Sequence, residues 1–113
     1  MRRNQTKMMD PVRRGTTPTL IFDCPYDPFI IEGGYVTFMQ RGEFLFEKKF
    51  SDDCVTIETG KVLVDLTQEE TLQLTTADVC SAQMRFVFKY EKTAASGIYK
   101  IPVLDVLKGG EIR

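Results

Sequence analysis

At 113 residues, 42% hydrophobic and 27% charged with a net charge of −1, the chain has the size and balance of one ordinary globular domain. It contains no histidine, which excludes Ser-His and Cys-His nucleophiles and imidazole metal ligands. Its longest apolar runs are a few residues, far short of the ~20 that a membrane-spanning helix needs.

Residues 1–14 carry Arg2, Arg3, Lys7, Arg13 and Arg14 against Asp10, a local +4 that leaves −5 on the other 99 residues. Charge is dense there, apolar residues are few, and Gly15 with Pro18 blocks regular structure. Residues 1–18 are therefore expected to be a flexible basic arm, 19–110 the folded domain and 111–113 a tail. Arg2, Arg3, Arg13 and Arg14 are the expected partner contacts. The polar, basic start has no apolar stretch behind it and does not read as a secretory signal, so folding in the cytoplasm is expected. Met8 and Met9, just before Asp10-Pro11, are alternative starts to Met1.

Thr19–Cys24 reads as a first strand closed by Pro25 and Pro28, which cannot donate ladder hydrogen bonds. Asp23 and Asp27, in this proline-rich corner, read as turn caps rather than a catalytic pair. Gly34–Met39 and Glu43–Phe50 form a hairpin. A three-residue loop, Gln40-Arg41-Gly42, would pair Phe38 with Phe44 and Val36 with Phe46, giving one apolar face that Lys48 interrupts. Cys54–Glu58 and Lys61–Leu66 form a second hairpin that opposes Val55 to Val64, Ile57 to Val62 and Glu58 to Lys61. Threonine is a poor residue for a positive φ, so a loop wider than Thr59-Gly60 is expected there.

Thr67–Leu74 is the one helical piece. Thr67 and Glu70 match a capping box, which accounts for Glu69-Glu70 without catalysis. The helix is expected to cross between sheets. In Ser81–Tyr90, the apolar residues Ala82, Met84, Phe86, Phe88 and Tyr90 share one parity, the mark of a central strand with one face in a core. Glu91–Gly97 reads as a turn. Ile98–Leu107 is the last strand, and Pro102 inside it predicts an open edge position.

Seven strands and one short helix point to an all-β fold, an antiparallel immunoglobulin-like β-sandwich with a connecting helix. Three widely spaced cysteines, Cys24, Cys54 and Cys80, without Cys-x-x-Cys, read as reduced structural residues. No Cys24–Cys80 bridge is drawn, since there is no tryptophan and Cys24 falls on the first strand.

Four stretches carry a resemblance: Arg13-Arg14-Gly15-Thr16-Thr17-Pro18-Thr19-Leu20, Tyr35-Val36-Thr37-Phe38-Met39-Gln40, Leu66-Thr67-Gln68-Glu69-Glu70-Thr71 and Val106-Leu107-Lys108-Gly109-Gly110. In layout they resemble small virion proteins of tailed phages and prophages of Gram-positive bacteria. They look similar to the N-terminal immunoglobulin-like domain of the baseplate upper protein, which attaches receptor-binding parts to a tail. The resemblance spans residues 13–110 and consists of strand and turn words. It implies a structural role in a tail, baseplate or fibre attachment, with other virion proteins and copies of itself as partners. It implies no catalytic residue and no cofactor.

Against an enzyme, the chain has no phosphate-binding glycine loop of either common spacing. The basic arm and tyrosines leave a nucleic-acid binder as an alternative, although arginines and aromatics are not interleaved. A host-directed inhibitor or regulator is another. The expectation is a non-catalytic module that acts by protein–protein docking and is incorporated into a virion.

Overall fold

Alternation of buried and exposed side chains divides the chain between two packed sheets. The computed structural model describes residues 6–107 together with Gly109, Gly110 and Ile112. In chain order the strands are β1 (Thr6–Met8), β2 (Val12–Arg13), β3 (Thr19–Asp23), β4 (Ile31–Gln40), β5 (Glu43–Lys49) and β6 (Val55–Glu58). They continue as β7 (Lys61–Asp65), β8 (Cys80–Phe88), β9 (Thr93–Ala95), β10 (Ile98–Ile101) and β11 (Val103–Leu104). Helix α1 (Gln68–Leu72) lies between β7 and β8.

The smaller sheet is ordered β3-β7-β6 and the larger β1-β10-β8-β4-β5, with β9 also on β8 and β2 paired to β11. This is the immunoglobulin-like sandwich, with α1 carrying the chain from the smaller sheet to the larger. Phe22, Val62 and Val64 from one sheet meet Val36, Phe38, Met84 and Phe86 from the other, all buried. Phe22 packs edge-on to Tyr99 across the gap, ring centroids 4.9 Å apart. All three thiols are free, Cys24 and Cys80 buried and Cys54 half-buried.

Local chemistry explains the crossover. Thr67 accepts from the Glu70 amide (3.1 Å) while the Glu70 carboxylate accepts from the Thr67 amide (2.9 Å), closing both halves of the capping box. The same carboxylate oxygen lies 2.6 Å from Lys48 Nζ, which points inward from β5 and is buried. The lysine that breaks the apolar parity of β5 therefore ties that strand to the helix. Thr71 is the buried residue of α1; its Oγ1 donates to the Thr16 carbonyl and accepts from the Gly15 amide. Gln40 is buried too. It donates to the carbonyls of Thr75 and Asp78 (2.7 Å each) and accepts from the Thr75 amide (2.8 Å), pinning the loop that leads into β8.

Five expectations change. Residues 6–14 do not stand off as an arm: β1 runs parallel to β10 and β2 parallel to β11. The last strand is consequently not an open edge. Pro102 splits it into β10 and β11, but its carbonyl still accepts from the Val12 amide (2.9 Å), so the missing N–H leaves the pairing intact. The first hairpin closes through the two-residue turn Arg41-Gly42, both at positive φ (55° and 79°), and a bulge at Leu45 restores the faces. Phe38 therefore opposes Phe46, stacked at 4.7 Å, while Phe44 pairs with Met39 on the outside. Thr93–Ala95 inside the expected Glu91–Gly97 turn forms β9, and the chain reverses at Tyr90 and Glu91 (φ 61°) instead. Finally, the second hairpin keeps its expected register but not the wider loop expected: it closes through Thr59-Gly60, in which only Gly60 takes a positive φ, so the threonine meets no strain.

Cys80 opens β8 in the core, and burial pushes its thiol up to about 11. Burial also raises the Tyr99 phenol, against the neighbouring Lys7 charge. Both groups are held in their neutral forms, so the stability they contribute is complete below the unfolded thiol value of ~8.5. It is lost as pH rises through the folded values. The urea midpoint is expected to fall between about pH 9 and 11, and Cys80→Ala to flatten part of that fall. A midpoint that rises over this range contradicts the assignment.

Candidate docking surface

The outward positions of the larger sheet align in rows across its strands. One row is Met8, Lys100, Ser81, Met39 and Phe44, one residue from each of β1, β10, β8, β4 and β5. Met8 is 70% exposed, Phe44 60% and Met39 38%, so three large apolar groups stand on one line of a solvent-facing sheet. Between them Lys100 Nζ donates to Ser81 Oγ (2.8 Å). The next rows bring Thr37 beside Glu47 and Gln83, then Tyr35 beside Lys49 and Arg85. The Arg85 guanidinium donates to the Tyr35 hydroxyl (3.1 Å) and sits 6.0 Å over its ring.

The smaller sheet's outer face is built differently. Asp23, Lys61 and Glu58 form one row, Ile21, Leu63 and Thr56 the next, and Thr19 with Asp65 the third. Ile21 is 54% exposed.

Arg13 and Arg14, two of the four arginines expected as partner contacts, are not on either face. Arg2 and Arg3 lie outside the described residues. Arg13 donates to the Asp105 carbonyl (2.9 Å). Arg14 donates to the carbonyls of Leu72 (3.0 Å) and Leu74 (2.7 Å) at the end of α1 and meets the Asp105 carboxylate at 3.3 Å. Both are internal ties that lock the first residues to the last strand and the helix.

Asp27 caps the short 3-10 turn Pro28–Ile30 through the Phe29 amide (2.9 Å), as its setting implies. Asp23 does something else: it is ion-paired with Lys7, joining the sheets along their β1–β3 side. This pairing holds the Lys7 ammonium above its ordinary range. Cavities of ≈ 400 and ≈ 600 Å³ flank the tie, and Lys7, Asp23 and Tyr99 line both. They are the gaps where the sheet edges part. Among the described residues no three cysteine or carboxylate groups converge as a metal site, and no helix is long and apolar enough to cross a membrane.

Phe44 was placed inward by the expected hairpin register, and the bulge at Leu45 turns it out. Met8 and Lys100 were also missed as face residues, since their strands are too short to show a period.

No family model matches the chain, and no curated protein matches it. Among solved structures it is similar to the M1 domain of titin, with 16% identity over 87% of this chain and 89% of that one, TM-score 0.46. It is also similar to the extracellular domain of the voltage-gated sodium channel beta4 subunit, with 14% identity over 95% and 98%, TM-score 0.47.

Proposed function

We propose that this protein is a non-catalytic docking module of a multi-copy particle, engaging its neighbours through the outer face of the larger sheet. The observation that carries this reading is the row from Met8 to Phe44, which adds exposed thioether and aromatic surface to a face that also exposes Val87 and Ile98. Methionine and aromatic groups are the side chains that interfaces favour. The resemblance of residues 13–110 to small virion proteins supports reading the particle as a tailed-phage or prophage-derived virion, with docking at the tail, baseplate or fibre attachment.

The test is cross-linking mass spectrometry on purified particles. Lys49 and Lys100 on the face are the reporters. Cross-links from them to a tail protein or another copy, at fixed stoichiometry, are the expected result. Recovery of the protein only from the soluble lysate overturns the reading, and association there with nucleic acid or a host enzyme would put a binder or inhibitor in its place.

A further inference from the structure

The two outer faces differ in charge. On the larger sheet the outward, paired positions hold Lys49, Arg85 and Lys100 against Glu47. On the smaller sheet they hold Asp23, Asp65 and Glu58 against Lys61, with Lys7 of β1 reaching over to Asp23, so this face still carries one more anion than cations. Each face also offers exposed apolar surface, Met39 and Phe44 on one and Ile21 on the other. A cationic face with an apolar row thus stands back to back with an anionic face of similar make.

We infer that the neighbour on the larger sheet is the smaller sheet of a second copy, so that the chain stacks face to back. This rests on the docking reading above and names the partner surface. Charge decides the mode. Joining two larger sheets about a dyad would set three cations against three, and like charges across an interface oppose association. Larger against smaller sets cations against carboxylates and lets Ile21 meet the exposed apolar row. Such a contact is heterologous: each added copy leaves one face of each kind open, and the series either closes as a ring or extends.

The smaller sheet limits the contact. Three strands ~4.8 Å apart and about five residues long present only a few hundred Å², well under the ~800 Å² per partner of a stable pair. A single contact is therefore weak, and stacking requires high local concentration, which a particle supplies.

The experiment is sedimentation of the full chain up to on the order of 0.5 mM, in ~50 mM and ~500 mM salt. Two doubly charge-reversed variants accompany it, one on the larger sheet (R85E with K49E) and one on the smaller (E58K with D65K). All four side chains are exposed, and circular dichroism checks each fold. Wild type is expected to self-associate in low salt and to weaken at least about tenfold in high salt. Each variant alone carries like charge on both faces and is expected to stay monomeric, whereas an equimolar mixture regains association, since every face then meets its opposite.

A wild-type chain that stays monomeric in low salt overturns the inference, as does a mixture that does not recover. A smaller-sheet variant that associates like wild type overturns it in favour of a dyad through the larger sheets. None of these results touches the docking reading, which falls only if the protein is absent from particles.

Discussion

Gly34→Ala is expected to abolish the native fold at room temperature. Gly34 sits in β4 with φ of +153°, a conformation side-chain-bearing residues rarely adopt. A Cβ there would lie 2.1 Å from the Arg85 carbonyl oxygen and 2.8 Å from the Phe50 ring. The first neighbour is backbone of the adjacent strand and cannot swing aside. The Gly34 carbonyl also accepts from the Phe50 amide (3.0 Å), so β4 cannot retreat without breaking that bond. Strain of ~1–3 kcal/mol from the φ alone adds to the clash. A total above ~4 kcal/mol is a large share of the 5–15 kcal/mol that holds an ordinary domain together. Gly33→Ala, one residue away, meets nothing within 4 Å and is the control. Urea titration should find Gly33→Ala within ~1 kcal/mol of wild type and Gly34→Ala without a folded baseline. A Gly34→Ala midpoint near wild type would show that the strands can part there at little cost.

Phe22→Ala is the second large effect, expected at about 3–5 kcal/mol. Phe22 is fully buried on β3, and its ring meets Tyr99 edge-on from the opposite sheet. With all three cysteines free, the sheets have no covalent tie, and interdigitated side chains do the joining. Removing the ring opens a cavity at the seam, and the close-packed side chains of the two sheets relax into it only in part. Phe22→Leu keeps most of the volume and should recover more than half of the loss. If Phe22→Ala costs under ~1 kcal/mol, the seam is not held by this contact.

Local chemistry was legible in the sequence; long-range pairing was not. The hairpin of β6 and β7 came out in register because alternation leaves one arrangement that puts Val55, Ile57, Val62 and Val64 on a single face. The capping box of Thr67 and Glu70 is complete within four residues. The bulge at Leu45 escaped, since hydrophobic parity reads the same for a three-residue loop as for a two-residue turn plus one extra residue. β1 and β2 escaped because pieces of three and two residues carry no period and pair in parallel with the far end of the chain. That error also turned Arg13 and Arg14 into arm residues. Their charge was visible, but the carbonyls of Leu72, Leu74 and Asp105 that receive it were not. The docking face was half legible: Met39 lay outward by parity, while Phe44 depended on the bulge.

Among the described strands β5 ends the larger sheet, and its outer ladder is unoccupied. A seven-residue strand containing Phe44, Leu45 and Phe46 is the kind of edge along which chains zip into endless sheets. Two features already described spoil that template. The extra residue at Leu45 puts the hydrogen-bonding groups out of step, and an inward-turned Lys48 would have to be stripped of Glu70 before the strand could flatten against a twin. Lys48→Val would improve the apolar pattern of the strand and remove this guard, leaving an aggregation-prone edge. The same lysine that fastens the helix therefore also guards the open edge of β5.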